Sequence, residues 1–148
     1  MRDIDKIVKD VLIHKGFVYK KSSWYRISDD LIQIINFQKS QFSNKYYLNI
    51  GIDEKEGQDC IFKAEYLFPI RLRVNMLLSD KQLIDALDFE KAYSEISRKE
   101  KLDNLIIKSI NFLDSVSKWE QLKSAMNSNS HLIHHAFITK SFIEKINS

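Results

Sequence analysis

Glycine, proline and cysteine are scarce in this chain: three Gly, one Pro and one Cys among 148 residues. So few backbone punctuators argue against long loops and linkers, and three isolated glycines cannot build a glycine-rich phosphate loop. The lone cysteine, Cys60, excludes a disulfide framework and fits a reducing, cytoplasmic setting. Apolar runs stay far short of the roughly 20 residues that cross a bilayer, so no membrane association is expected. The N-terminus, MRDIDKIVKD, mixes acids with bases and lacks the apolar centre of a secretory signal. G-x-S-x-G, H-E-x-x-H and paired-cysteine zinc spacings are all missing, which removes the sharpest enzyme and metal signatures. No cofactor is expected.

What is there is ordinary globular material. With 44% apolar and 29% charged residues the chain is neither of disordered nor of membrane type. Residues 1–148 read as one domain, and at this length folding hides roughly 70% of the unfolded surface, enough for one core. The net charge is +3 and unevenly laid out. Met1 to Ser28 carries seven bases against three acids, whereas Asp29 to Gln58 carries three against five. No long block of one sign appears, so a polybasic tract for nucleic acid or anionic lipid is absent.

Hydrophobic periodicity divides the chain. Ile4, Ile7, Val8, Val11 and Leu12 share one helical face. Asp3 and Asp5 sit at the positive end of that helix dipole, and Gly16 is placed to stop the helix. From Phe17 the period changes to two. FVYKKSSWYRIS, DLIQIINFQKS, KYYLNIGID, CIFKAEYLF and IRLRVNML read as strands, with turns at Ser22-Ser23, Ser28 to Asp30, SQFSN and EKEGQD, and a break at Pro69. After Leu78 the pattern is helical. Ser79 to Gln82 and Ser117 to Glu120 have capping-box spacing. Leu102, Ile106, Ser109, Leu113 and Val116 keep a heptad-like rhythm. Ser130 to Ser148 reads as a last helix, with Leu132, Ala136, Phe142 and Ile146 inward. The order predicts an α+β fold: an N-terminal helix, a four- or five-stranded antiparallel meander, and a C-terminal helical layer on one sheet face. Val8, Val11, Leu12, Ile50, Leu72, Val74, Ile106 and Leu113 are expected in one core.

The candidate functional residues are polar groups inside strands, which need partners from the protein or from a ligand. Arg71 and Arg73 alternate with apolar residues and share a strand face; Arg26 follows Trp24-Tyr25 in an earlier strand. Asn36, Gln38 and Asn49 are mid-strand amides. If they converge they suit an anionic or amide-bearing partner; the bland reading is the solvated face of a half-covered sheet. The strand aromatics Phe17, Tyr19, Trp24, Tyr25, Phe37, Tyr46 and Tyr47 could stack single-stranded nucleic acid. Core burial under the helices is the better reading of them. His131 and His135 are spaced to share a helix face and form a weak alternative metal site. Cys60, among apolar residues, reads as an inert buried thiol.

Gly16-Phe17, Trp24-x-Arg26, Asp30-Leu31, Asn36-x-Gln38-Lys39-Ser40 and Tyr47-x-Asn49-x-Gly51 together resemble the bacterial domain-of-unknown-function family DUF4304. The resemblance covers about Gly16 to Gly51. It implies a small bacterial cytosolic α+β protein and carries no activity over. The family's recurrent residues land on Arg26, Asn36, Gln38, Lys39, Ser40 and Asn49. Because no catalytic constellation, cofactor motif or nucleic-acid tract is present, the expected function is a non-catalytic protein-binding module, inhibitor or immunity-like, with another protein as partner. The alternatives are a single-stranded nucleic-acid or nucleotide binder using Arg26, Arg71 and Arg73, and an enzyme of unrecognised type using His131, His134 or His135.

Overall fold

A computed structural model describes residues 1–58, 60–128 and 136–148. Helix α1 (Asp3–His14) buries Ile4, Val8 and Leu12, as its apolar spacing requires. Lys15 caps it and Gly16 follows at φ +88°, the left-handed conformation that a glycine adopts at no steric cost. Four antiparallel strands come next: β1 (Val18–Lys20), β2 (Ser23–Ser28), β3 (Leu31–Lys39) and β4 (Tyr46–Glu54). The turns between β1 and β2 and between β2 and β3 hold Lys21, Ser22 and Asp29 at positive φ. Such primed-type geometry matches the strand twist in tight hairpins. Strand β5 (Ile70–Arg73) pairs with β4. A two-residue strand, β6 (Phe137–Ile138), returns from the C-terminal region to pair with β5. The sheet order is β1-β2-β3-β4-β5-β6, antiparallel throughout.

The helices are α2 (Val74–Leu77), α3 (Lys81–Asp85), α4 (Glu95–Ser115), α5 (Trp119–Ser128) and α6 (Lys140–Ile146). Asp80 caps α3 by accepting from the Leu83 amide, and Ser94 caps α4 by accepting from the Ser97 amide. The large core lies between the sheet and the helices. Leu31, Ile35 and Phe37 of β3 and Leu48, Ile50 and Ile52 of β4 meet Ile4, Val8, Leu102, Ile106 and Leu113 there. The eight expected core residues all join this cluster, Val11 at its half-buried edge.

Among the described residues the opposite sheet face is covered only in part. Residues 60–69 cross it, and Phe68 packs with Tyr25, Ile32 and Ile34 in a small second cluster. The Tyr25 hydroxyl donates to the Lys63 carbonyl at 2.6 Å, and burial pushes its phenol above the ordinary value. Lys63 in turn pairs with the buried carboxylate of Asp53. Gly51 makes room for this cover. A Cβ there would stand 2.7 Å from Ile34 Cγ2 and 3.1 Å from Phe68 Cβ and Cγ. Gly51→Ala should therefore cost about 1–3 kcal/mol by overpacking, read from denaturant melts. A variant as stable as the parent would show that Phe68 lifts away freely.

The fold class is as the sequence predicts, with six strands rather than four or five, and four local expectations are corrected. IRLRVNML is a strand only over Ile70–Arg73, with Val74–Leu77 helical. Cys60 to Phe68 is not a strand: it is irregular chain ending in a 3₁₀ turn (Glu65–Leu67). Cys60 is exposed rather than buried. Its segment packs across the sheet instead of joining its edge, a tertiary choice that β-propensity cannot register. The C-terminal region is not one helix, because Phe137–Ile138 extends the sheet before α6 begins. Phe142 and Ile146 do point inward. Leu132 lies outside the described residues.

Candidate functional site

The uncovered part of the open face is where the strand polar residues gather. Asn36 faces Asn49 in the β3–β4 register, and Asn49 faces Arg73 in the β4–β5 register. Period-two geometry puts all three on the side away from the helices. Asn49 Nδ2 donates to Gln38 Oε1 at 3.0 Å, and Arg73 Nη2 reaches the same oxygen at 3.4 Å. Asn36 Nδ2 donates to the Ser23 hydroxyl at 2.8 Å, one strand further out. Gln38, Asn49, Arg71 and Arg73, with Glu65, Met76 and Phe137, line an open cleft of about 260 Å³.

Both arginines lie over rings. The Arg71 guanidinium lies 4.1 Å from the Phe137 centroid, and that of Arg73 4.1 Å from the Tyr47 centroid. Stacking orders a planar cation while leaving its hydrogen-bonding edge outward. Among the described residues neither makes an ion pair. Among the described residues, Arg71 Nε is buried without a hydrogen-bond partner, and Glu65 is the one carboxylate lining this cleft. Burial pushes its pKa above the ordinary carboxylate value, against the opposing pull of Arg71 and Arg73.

Arg26 stands apart, on the helix-facing side of the sheet. Its Nε and Nη2 donate to Gln33 Oε1 at 3.0 and 2.8 Å, its Nη1 to the Lys15 carbonyl at 3.1 Å, and its Nη2 to Asp114 at 2.7 Å. The guanidinium covers the Phe17 ring at 4.6 Å. Gln33, fully buried, donates to the Leu113 carbonyl at 2.8 Å. This network serves the C-terminal ends of α1 and α4, where carbonyls lack helical partners and a cation suits the dipole. These contacts hold Arg26 at the helix ends, on the sheet face opposite the cleft.

Lys39 is exposed at the end of β3, away from the cleft lining. Ser40 serves the hairpin turn, its hydroxyl accepting from the Phe42 amide at 3.2 Å. His131, His134 and His135 lie outside the described residues. Of the seven strand aromatics, Phe17, Trp24, Tyr25, Phe37 and Tyr46 are buried and Tyr19 and Tyr47 half-buried. The rings belong mainly to the core.

A model of the family described as Domain of unknown function (DUF4304) matches residues 8–125. The chain belongs to the DUF4304 family. The match extends well past the Gly16 to Gly51 resemblance, through α4 and most of α5. No curated protein and no solved structure matches the chain. Most residues that carry the DUF4304 resemblance turn out to brace the fold. Trp24 Nε1 donates to the fully buried Asp5 at 3.1 Å, and Asp30 accepts from the Trp119 amide at 2.9 Å at the start of α5. Of that set, Gln38 and Asn49 line the cleft, and the Tyr47 ring lies against the Arg73 guanidinium. Phe137 lies beyond the span matched by the DUF4304 model.

Sequence reasoning missed Gln33, Glu65 and Phe137. Gln33 had a legible signal, since it shares the apolar face of Leu31 and Ile35. Glu65 and Phe137 had none, because each reaches the cleft only through the path of an irregular or returning segment.

Proposed function

We propose that this protein is a non-catalytic protein-binding module of the inhibitor or immunity kind, working in a bacterial cytoplasm, and that it meets its partner with the open face of the sheet. The observation that carries the reading is the pair Arg71 and Arg73: two guanidinium groups set over rings in one cleft, neither in an ion pair among the described residues. Oriented charge without an internal counterpart suits a partner of complementary potential. Phe137 and Met76, both exposed, border the cleft. Aromatic and methionine side chains beside arginine are typical of protein interfaces. The single cysteine of the chain supports a reducing compartment.

One observation weighs against the nucleic-acid rival. Single-stranded nucleic acid needs free rings to stack on, and the strand aromatics are largely core. The enzyme rival would need a histidine and a carboxylate converging in one cleft; its candidates His131, His134 and His135 lie outside the described residues.

The test is a displayed peptide library selected on the parent protein and re-assayed on Gln38→Ala and on the Arg71→Ala, Arg73→Ala double variant. Selected peptides should lose binding to the double variant. Gln38 is exposed, so its alanine variant should keep stability within about 1 kcal/mol while binding less. Peptides that hold all variants equally would place the contact elsewhere. Labelled single-stranded DNA and RNA should bind only weakly at low salt. Submicromolar affinity with a steep negative salt slope would replace this reading with the nucleic-acid one.

A further inference from the structure

We propose that the cleft between Gln38 and Phe137 is a receptor for the carboxylates of an acidic, extended protein segment, with Glu65 as the internal counter-charge that the segment displaces. The inference rests on the binding reading above and gives it a ligand chemistry.

Spacing is the first argument. Arg71 and Arg73 are two residues apart on one strand, so their backbones are roughly 6.7 Å apart along it. An extended partner repeats its same-face side chains at the same interval, so acidic residues at alternate positions would meet one guanidinium each. The second argument is donor geometry. A guanidinium offers a planar fork that matches a carboxylate, and the stacking on Phe137 and Tyr47 has already ordered both groups. Arg71 Nε adds a buried donor that has no partner among the described residues.

Glu65 supplies the third. Its carboxylate lines the same cleft and feels both arginines, yet it forms an ion pair with neither. A half-buried carboxylate so placed offsets the positive charge of the empty cleft without occupying the guanidinium forks. An incoming carboxylate must compete with it. Nucleobases fit less well, because Tyr47 and Phe137 each already have one ring face taken by an arginine. Neighbouring apolar side chains of the partner would land on Phe137 and Met76.

The experiment is fluorescence anisotropy with an end-blocked peptide alternating glutamate with leucine, and with its glutamine-for-glutamate twin. Inorganic phosphate and oligothymidylate serve as competitors. The glutamate peptide should bind about tenfold or more tightly than its twin, the scale of a charge-assisted hydrogen bond. Arg73→Gln should weaken it by about the same factor, and Glu65→Gln should tighten it severalfold. Arg73 is exposed and Glu65 only half-buried, so thermal melts should confirm intact folding. Equal binding of the two peptides overturns the carboxylate inference and leaves the binding module standing. Binding of neither overturns it too, and the library selection then decides the module by itself. No effect of Glu65→Gln removes the counter-charge role. Phosphate or oligothymidylate competing more strongly than the acidic peptide assigns the cleft to phosphate instead.

Discussion

Arg98→Ala should destabilise the protein by about 3 kcal/mol or more and lower its melting temperature by roughly 6–12 °C. Arg98 lies on the inner side of α4 and is 8% exposed. Its Nη1 donates to the carbonyls of Ala86 and Asp88 at 2.7 and 3.2 Å, and its Nη2 to that of Lys91 at 2.7 Å. The guanidinium also lies over the rings of Phe89 and Tyr93. One cation thus gathers the irregular chain between α3 and α4. Alanine would leave sheltered carbonyls without donors, each costing about 1–3 kcal/mol, and would remove two stacking contacts. Lysine should restore only part of the loss, because a point charge cannot reproduce the fork. An alanine variant that melts with the parent would mean that water replaces the guanidinium at all three carbonyls.

Leu113→Ala should cost about 2–5 kcal/mol, the range for emptying a packed leucine site. Leu113 has no exposed surface and sits where the last turn of α4 meets the sheet. Its own carbonyl accepts from buried Gln33, which Arg26 holds in turn. The backbone around the cavity is therefore pinned, and a pinned site collapses poorly around lost volume. Denaturant unfolding would measure the effect. A midpoint close to that of the parent would remove Leu113 from the core and show that the α4 rhythm had been assigned to the wrong face.

The open face has a different character. Gln38, Arg71 and Arg73 make few internal contacts, so changes there should alter binding more than folding. Arg26, the fourth strand residue that attracted attention in the sequence, should behave in the opposite way. It fastens the ends of two helices to the sheet and lies on the far side from the cleft.

That contrast marks what was legible in the sequence. Helix α1, its glycine stop, the meander from β1 to β4 and the buried stripe of α4 follow from periodicity and turn chemistry. These are local properties, and a one-residue slip in any of them would turn apolar groups to water. The pairing of Arg71 with Arg73 on one face follows from the same period of two. Which face each polar residue would occupy relative to the helices could not be read from spacing. It depends on how the strands register and on which side the helices pack. The third-dimension contacts decided the rest. Segment 60–69 folds across the sheet because Gly51 leaves space for Phe68, and in doing so it delivers Glu65 to the arginines. Phe137 reaches Arg71 only because β6 returns to pair with β5 across more than sixty intervening residues. Local sequence carries no record of such contacts, since their free energy arises only when distant segments have already met.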